Sequence, residues 1–219
     1  MGLRKEEITR KILHLFALLM PIAIFYTPRM NVSFLLPLGV LAFLLFGSII
    51  VEWLRFRYPL VQKVFFTCFG KLLRKEEKSK TTGSTFVIAA SLLCAILFRN
   101  NLHIAFIVLF LFILGDAIAA IVGLSIGRVK IGKKSLEGSI ACFLLCMALL
   151  YWVIPLFPGV FEPWGNRFPL ILALITSLSI TLLELFPLKI NKKHIINDNL
   201  AVPVITGYVI LFMDKVFIS

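Results

Sequence analysis

The amino-acid sequence predicts an all-α fold: a polytopic transmembrane bundle of about seven spans with a cytoplasmic N-terminus. Three observations carry that expectation. The 219 residues are 60% hydrophobic and 16% charged, whereas soluble domains are about 45–50% apolar and about 25% charged. Several windows exceed the roughly 18 apolar residues that mark a spanning helix. Helix breakers fall between those windows: Thr27-Pro28, Asn100-Asn101, Pro155 with Pro158-Gly159, Pro187, and the Asn-Asp-Asn run at 197–199.

The apolar runs place helices at 8–26, 31–51, 83–98, 102–126, 138–156, 168–186 and 199–216. Segment 58–73, YPLVQKVFFTCFGKLL with Arg74 directly after it, mixes Lys and Arg with Phe and Leu. That composition predicts a helix lying in the membrane interface. Orientation follows from the cations. Segments 1–10, 52–82, 127–137 and 187–198 hold 3, 8, 4 and 3 Lys/Arg, which is 18 of the 23. The intervening loops hold only Arg29, Arg99 and Arg167. Cytoplasmic loops carry the excess of Lys and Arg, so the four basic segments are assigned to the cytoplasm. No linker or short repeat divides the chain, and residues 1–219 read as one domain.

The net charge of +12 raises nucleic acid as a partner. Its confinement to one set of loops points to a membrane surface instead, with no nucleic acid. Cys68, Cys94, Cys142 and Cys146 have neither zinc nor disulfide spacing. They read as small packing residues.

Five acids tend toward the cytoplasmic leaflet: Glu52, Asp116, Glu137, Glu184 and Asp198. A charge in mid-bilayer is costly and marks function by default. Asp116, inside LFILGDAIAAIVGLSIG, lies roughly 15 Å deep if its helix is continuous. It is either a structural acid paired with Lys11 or His14, or a metal ligand. Glu52 and Glu137 read as solvated interface acids or as members of the cluster. Asp198 reads as an N-cap for the last helix or as a third ligand. Hard carboxylate oxygens beside cations suit Mg²⁺-bound polyphosphate. Gly115, Ala119, Gly123 and Gly127 form a small-residue stripe suited to close helix packing, within or between chains alike.

Residues 133–139, KKSLEGS, place Ser135 as an N-cap and Glu137 in the first helical turn. A helix N-terminus offers unpaired N–H groups and a positive dipole end. Lys133 and Lys134 add charge there, while Gly132 and Gly138 permit close backbone approach. In the first helix Glu7, Lys11 and His14 share one face, with Arg10 beside them.

The stretch 115–139, GDAIAAIVGLSIGRVKIGKKSLEGS, resembles the polyprenol kinase family: dolichol, phytol and farnesol kinases and CTP-dependent diacylglycerol kinases. CDP-diacylglycerol synthase is a remoter relative. The likeness lies in an Asp, small residues at helical spacing, then a basic loop ending Lys-Lys-Ser-x-Glu-Gly. The basic gap between Gly127 and Lys133 is shorter than in dolichol kinases. Glu7-x-x-Arg10-Lys11-x-x-His14, Glu52-x-x-Arg55, Gly83-Ser84-Thr85, Glu184 and Asp198-Asn199-Leu200 with Pro203 are similar to other family pieces, in the same order.

The resemblance implies transfer of the γ-phosphoryl group of CTP to a membrane lipid alcohol (polyprenol, dolichol, phytol, farnesol or diacylglycerol) at the cytoplasmic leaflet. It implies that Lys133, Lys134 and the Ser135–Gly138 backbone hold phosphates, with Gly123, Gly127 and Asn199 at the nucleotide. Asp116, Glu184 and Asp198 are the expected Mg²⁺ ligands. Asp116, Lys134, Glu137 and Asp198 are the expected catalytic set, Asp116 taking the hydroxyl proton. Lys11, His14, Ser84, Thr85, Glu52 and Arg55 are expected to bind or orient substrate. A CTP-dependent cytidylyltransferase making a CDP-lipid needs the same cations, and a proton-coupled transporter shares the buried acid and histidine. The compact, tail-free chain points to a prokaryotic plasma membrane over an endoplasmic reticulum.

Overall fold

The computed structural model describes Arg10 and residues 14–70, 73, 75–186, 188–191 and 194–217. Glu7, Lys11 and Pro187 lie outside the described residues. A 3-10 turn at Phe16–Leu18 leads into α1 (Leu19–Arg29), followed by α2 (Leu35–Arg57), α3 (Pro59–Phe69), α4 (Gly83–Leu97) and α5 (Leu102–Ser125). Next come α6 (Leu136–Ala148), α7 (Leu170–Leu185) and α8 (Asp198–Phe217). Two short antiparallel ladders lie between these helices, β1 (Lys130–Ile131) with β2 (Lys134–Ser135) and β3 (Lys189–Asn191) with β4 (His194–Ile195).

The chain is nearly all-α, as expected, and α3 matches the short helix expected at 58–73. Four helical stretches are long and apolar enough to cross a membrane: Leu35–Arg57, Leu102–Ser125, Leu136–Leu156 and Asp198–Phe217. Phe16–Arg29, Gly83–Leu97 and Leu170–Leu185 are shorter. A helix of 16 residues such as α7 extends roughly 24 Å, less than the ~30 Å hydrocarbon core.

Three boundaries differ from the sequence reading. Thr27-Pro28 does not end the first helix, because Pro28 sits inside the last turn of α1. The second helix runs on through Glu52 to Arg57. The two charges that seem to end it neutralise one another at i,i+3, with Arg55 Nη2 2.6 Å from Glu52 Oε2. Downstream, α6 widens into a π turn at Leu149–Val153 before Pro155. A proline ring clashes with the carbonyl four residues earlier, and the wider turn accommodates it.

At the centre stands α5, whose Ile104–Ile113 stretch is hydrophobic on every face and therefore enclosed on every face. Ile104 through Ile113 are all buried. The helix packs against α1, α4, α6, α7 and α8. Polar contacts gather at the two ends of the bundle. At one end Arg29 donates to Glu162 Oε2 (3.2 Å), Tyr26 donates to the Pro158 carbonyl (3.1 Å), and Trp164 Nε1 donates to Asp214 Oδ1 (2.6 Å). The opposite end holds the basic loops.

Two glycines separate packing from backbone effects. A Cβ on Gly207 would lie 2.2 Å from the ring of Phe98, itself 1% exposed, whereas nothing lies within 4 Å of one on Gly39. Gly207→Val is expected to destabilise by about 1–3 kcal/mol through overpacking. Gly39→Ala should leave stability unchanged or raise it by up to about 1 kcal/mol. Thermal unfolding of the two variants in the same detergent checks the contrast.

Candidate functional site

The basic end of the bundle is organised around Lys134. Its ammonium group donates to Asp198 Oδ2 at 2.9 Å and to the backbone carbonyl of Glu184, and lies 3.7 Å from Glu184 Oε1. Local sequence explains its position. The β1–β2 ladder pairs Lys130 with Ser135 and Ile131 with Lys134. Its two-residue loop begins at Gly132, where φ is +60°, a conformation suited to glycine at the first central position of a tight hairpin. The turn exposes Lys133 and directs Lys134 across to α7 and α8. Asp198 is available because Asn197, not Asp198, caps α8: its Oδ1 accepts from Asn199 N at 3.0 Å. The N-cap reading of Asp198 is thereby corrected.

Ser135 caps α6 as expected, accepting from Gly138 N at 3.2 Å. The glycines around it serve close packing. A Cβ on Gly123 would lie 2.8 Å from Ser135 Oγ, one on Gly127 2.6 Å from the same oxygen, and one on Gly138 2.5 Å from the Ala119 carbonyl. Further along the stripe, a Cβ on Gly115 would meet Cys142 Sγ at 2.9 Å. Cys142 Sγ in turn lies 3.6 Å from Glu184 Oε2. Glu137 faces the preceding loop, where Oε1 accepts from Arg128 N (2.9 Å) and Val129 N (3.0 Å). That is a loop-shaping role for a residue expected in the catalytic set.

A second polar cluster joins α2, α4 and α8. The guanidinium of Arg55, 1% exposed, donates from Nε to Glu52 Oε2 (2.6 Å) and from Nη2 to the carbonyls of Glu77 (3.0 Å) and Lys80 (2.6 Å). Glu52 Oε1 accepts from Thr82 N (2.9 Å) and Thr82 Oγ1 (2.7 Å). The hydroxyls of Ser84 and Thr85 lie 3.0 and 3.2 Å from Thr82 Oγ1, and Ser48 is 2.5 Å from Thr85. Asn199 Nδ2 donates to the Gly83 carbonyl at 2.9 Å. Asp198 and Asn199 therefore tie the two clusters together. Three helix N-termini, those of α4, α6 and α8, meet at this end of the bundle.

Asp116 lies on α5, its Oδ2 3.8 Å from His14 Nε2, both side chains 17% exposed. The pairing with His14 matches one of the two readings. Among the described residues no three His, Cys, Asp or Glu side chains form a group able to hold a metal ion. Asp116, Glu184 and Asp198 are thus not gathered into the expected ligand set, and an ammonium bridges two of them. The donor set does not fit a metal held by three protein carboxylates. Thr82, Glu77 and Cys142 went unnoticed in the sequence as site residues. The hydroxyl pair Thr81-Thr82 before Gly83 is a local signal for the first; Cys142 carries none.

A protein of Rickettsia prowazekii, itself described as uncharacterized, is 28% identical over 205 residues, covering 90% of this chain and 89% of its own. An uncharacterized protein of Methanocaldococcus jannaschii is 26% identical over 158 residues, covering 71% and 69%. No family model and no solved structure matches the chain.

Two stability experiments follow from the clusters. Arg55→Leu leaves Glu52 buried without its cation and is expected to cost about 3–5 kcal/mol, read as a large drop in thermal stability. Lys134→Met is expected to cost about 1–3 kcal/mol by stranding Glu184. Adding Glu184→Gln should recover part of that loss, a coupling of about 0.5–3 kcal/mol. Strict additivity in the double-mutant cycle would show that the bridge is absent.

Proposed function

We propose that the chain is a CTP-dependent kinase that phosphorylates the hydroxyl of a membrane lipid alcohol at the cytoplasmic leaflet. The observation carrying this reading is the meeting of three helix N-termini around Lys134, Asp198 and Asn199. Aligned helix N-termini favour anions. Exposed Arg128, Lys130 and Lys133 add cations at the same end. Such a place suits a polyphosphate arriving from water. The surrounding apolar helices suit an acceptor dissolved in lipid. The resemblance across 115–139 and 198–203 supports CTP as donor and a polyprenol, dolichol, phytol, farnesol or diacylglycerol as acceptor.

Seven spans, counting Phe16–Arg29, α4 and α7 beside the four longer stretches, put the basic loops on one side with the N-terminus. The positive-inside rule makes that side cytoplasmic. The bacterial and archaeal relatives favour a prokaryotic plasma membrane.

Phosphoryl transfer needs mainly positioning and charge neutralisation. In the proposed reaction the lipid hydroxyl oxygen bonds to the γ-phosphorus, the bond from that phosphorus to the β–γ bridging oxygen breaks, and CDP leaves with the electron pair. The hydroxyl proton passes to Asp116, whose Oδ2 lies 3.8 Å from His14 Nε2. Lys133 and the α6 N-terminus hold phosphate oxygens. Lys134 positions Glu184 and Asp198. Mg²⁺ enters as part of the metal–nucleotide substrate.

The test is incubation of purified protein with γ-labelled CTP, Mg²⁺ and a panel of lipid alcohols. Label in an organic-extractable product, with CDP released, is the expected result. Asp116→Asn should lower that turnover by about 100-fold or more with thermal stability retained. Pyrophosphate and a CDP-lipid formed from phosphatidate would replace the kinase by a cytidylyltransferase.

A further inference from the structure

The short helix α3 has two unlike faces. Its Phe65 ring lies under the Arg55 guanidinium, 4.7 Å away, on the side packed against α2. On the other side Leu60 is 77% and Val64 57% exposed, and Cys68 is exposed one turn further. The i, i+4, i+8 spacing makes these one stripe. Lys63 is exposed beside the stripe, Arg57 just before it, and Lys78 and Lys80 on the segment that leads into α4. Residues 59–69 contain no acid. Eleven residues reach roughly 16 Å, too short to cross a bilayer. Tyr58, with φ −118° and ψ 117°, breaks the path from α2 so that α3 starts where a spanning helix has just ended.

We propose that α3 docks on the anionic headgroup layer of the membrane that the chain inhabits. Leu60 and Val64 insert beneath the headgroups while Arg57 and Lys63 meet their phosphates, the arrangement of an interfacial amphipathic helix. Charge complementarity selects this occupant: a second copy of the chain would bring the same basic rim and be repelled. The docked helix also holds a structural position, because Phe65 covers Arg55, and Arg55 holds the Glu77 and Lys80 carbonyls ahead of α4.

Cys68 makes a direct test possible, since Cys94, Cys142 and Cys146 are buried. The full chain carries an environment-sensitive fluorophore on Cys68 and is reconstituted into vesicles of phosphatidylcholine, with or without phosphatidylglycerol. With phosphatidylglycerol the emission should shift to the blue and be quenched by lipids brominated near the headgroup. Added salt should weaken the effect, because surface charge is screened. Lys63→Glu should lower the docked-to-undocked ratio by at least about fivefold, the share of one basic charge near an anionic surface. Lys63→Arg should preserve it. Aqueous iodide quenching the label equally in both vesicles would overturn the proposal. So would Cys68-to-Cys68 cross-linking between copies that is indifferent to lipid charge, which would assign the face to a homo-oligomer.

Discussion

A carboxylate cannot remain alone at the edge of a hydrocarbon layer, and the basic end of this bundle is built around that constraint. Burial of an unpaired charge costs several kcal/mol, so each acid recruits donors from another segment. Glu52 uses both oxygens, one on Arg55 and one on the backbone and hydroxyl of Thr82. Glu137 takes two loop N–H groups. Glu184, 5% exposed, has Lys134. The Thr82 and Lys134 contacts join segments that the chain keeps apart. Satisfying the charges and shaping the loops are therefore one set of interactions.

The same end depends on how closely α5 and α6 approach. Gly123, Gly127 and Gly138 leave space that a side chain would fill, since an added Cβ would fall within 2.8 Å of Ser135 Oγ or of the Ala119 carbonyl. That closeness sets the first turn of α6, hence the direction in which the β1–β2 hairpin leaves it. Gly115 does the same deeper in the bundle, admitting Cys142 between α5 and the Glu184 side chain. A bulkier stripe would push α6 outward and carry Lys134 away from α7 and α8. The glycines reach the site through packing, which is why their spacing is that of a helix face.

What the sequence reveals here is what periodicity and local chemistry encode. The spans, the short helix at 58–73, the Ser135 cap and the small stripe all leave signals within a few residues. The end of α2 is less plain: its apolar run stops at Val51, and the helix continues to Arg57 with Glu52 and Arg55 paired at i,i+3. Lys134 was legible as a cation in a promising loop, but its partners stand 50 and 64 positions away. Nothing local announces that an ammonium bridges Glu184 and Asp198. The start of α8 shows a related limit: both Asn197 and Asp198 are good caps, and it is Asn197 Oδ1 that accepts from Asn199 N.

That bridge constrains any anion chemistry at this end. Two carboxylates and one ammonium carry a net negative charge, so the bridge alone repels phosphate. Attraction has to come from what surrounds it: three helix N-termini, exposed Lys133, and the neighbouring cations of the β1–β2 hairpin. On the proposed reading a metal–nucleotide brings its own divalent charge to this place. Asp198, with its side chain 27% exposed, is the more accessible of the two acids, and Glu184 at 6% is the more deeply held. Lys134 stands between them, donating to Asp198 and to the Glu184 backbone carbonyl. Its value lies in being shared, which a lysine on an isolated basic loop could not offer.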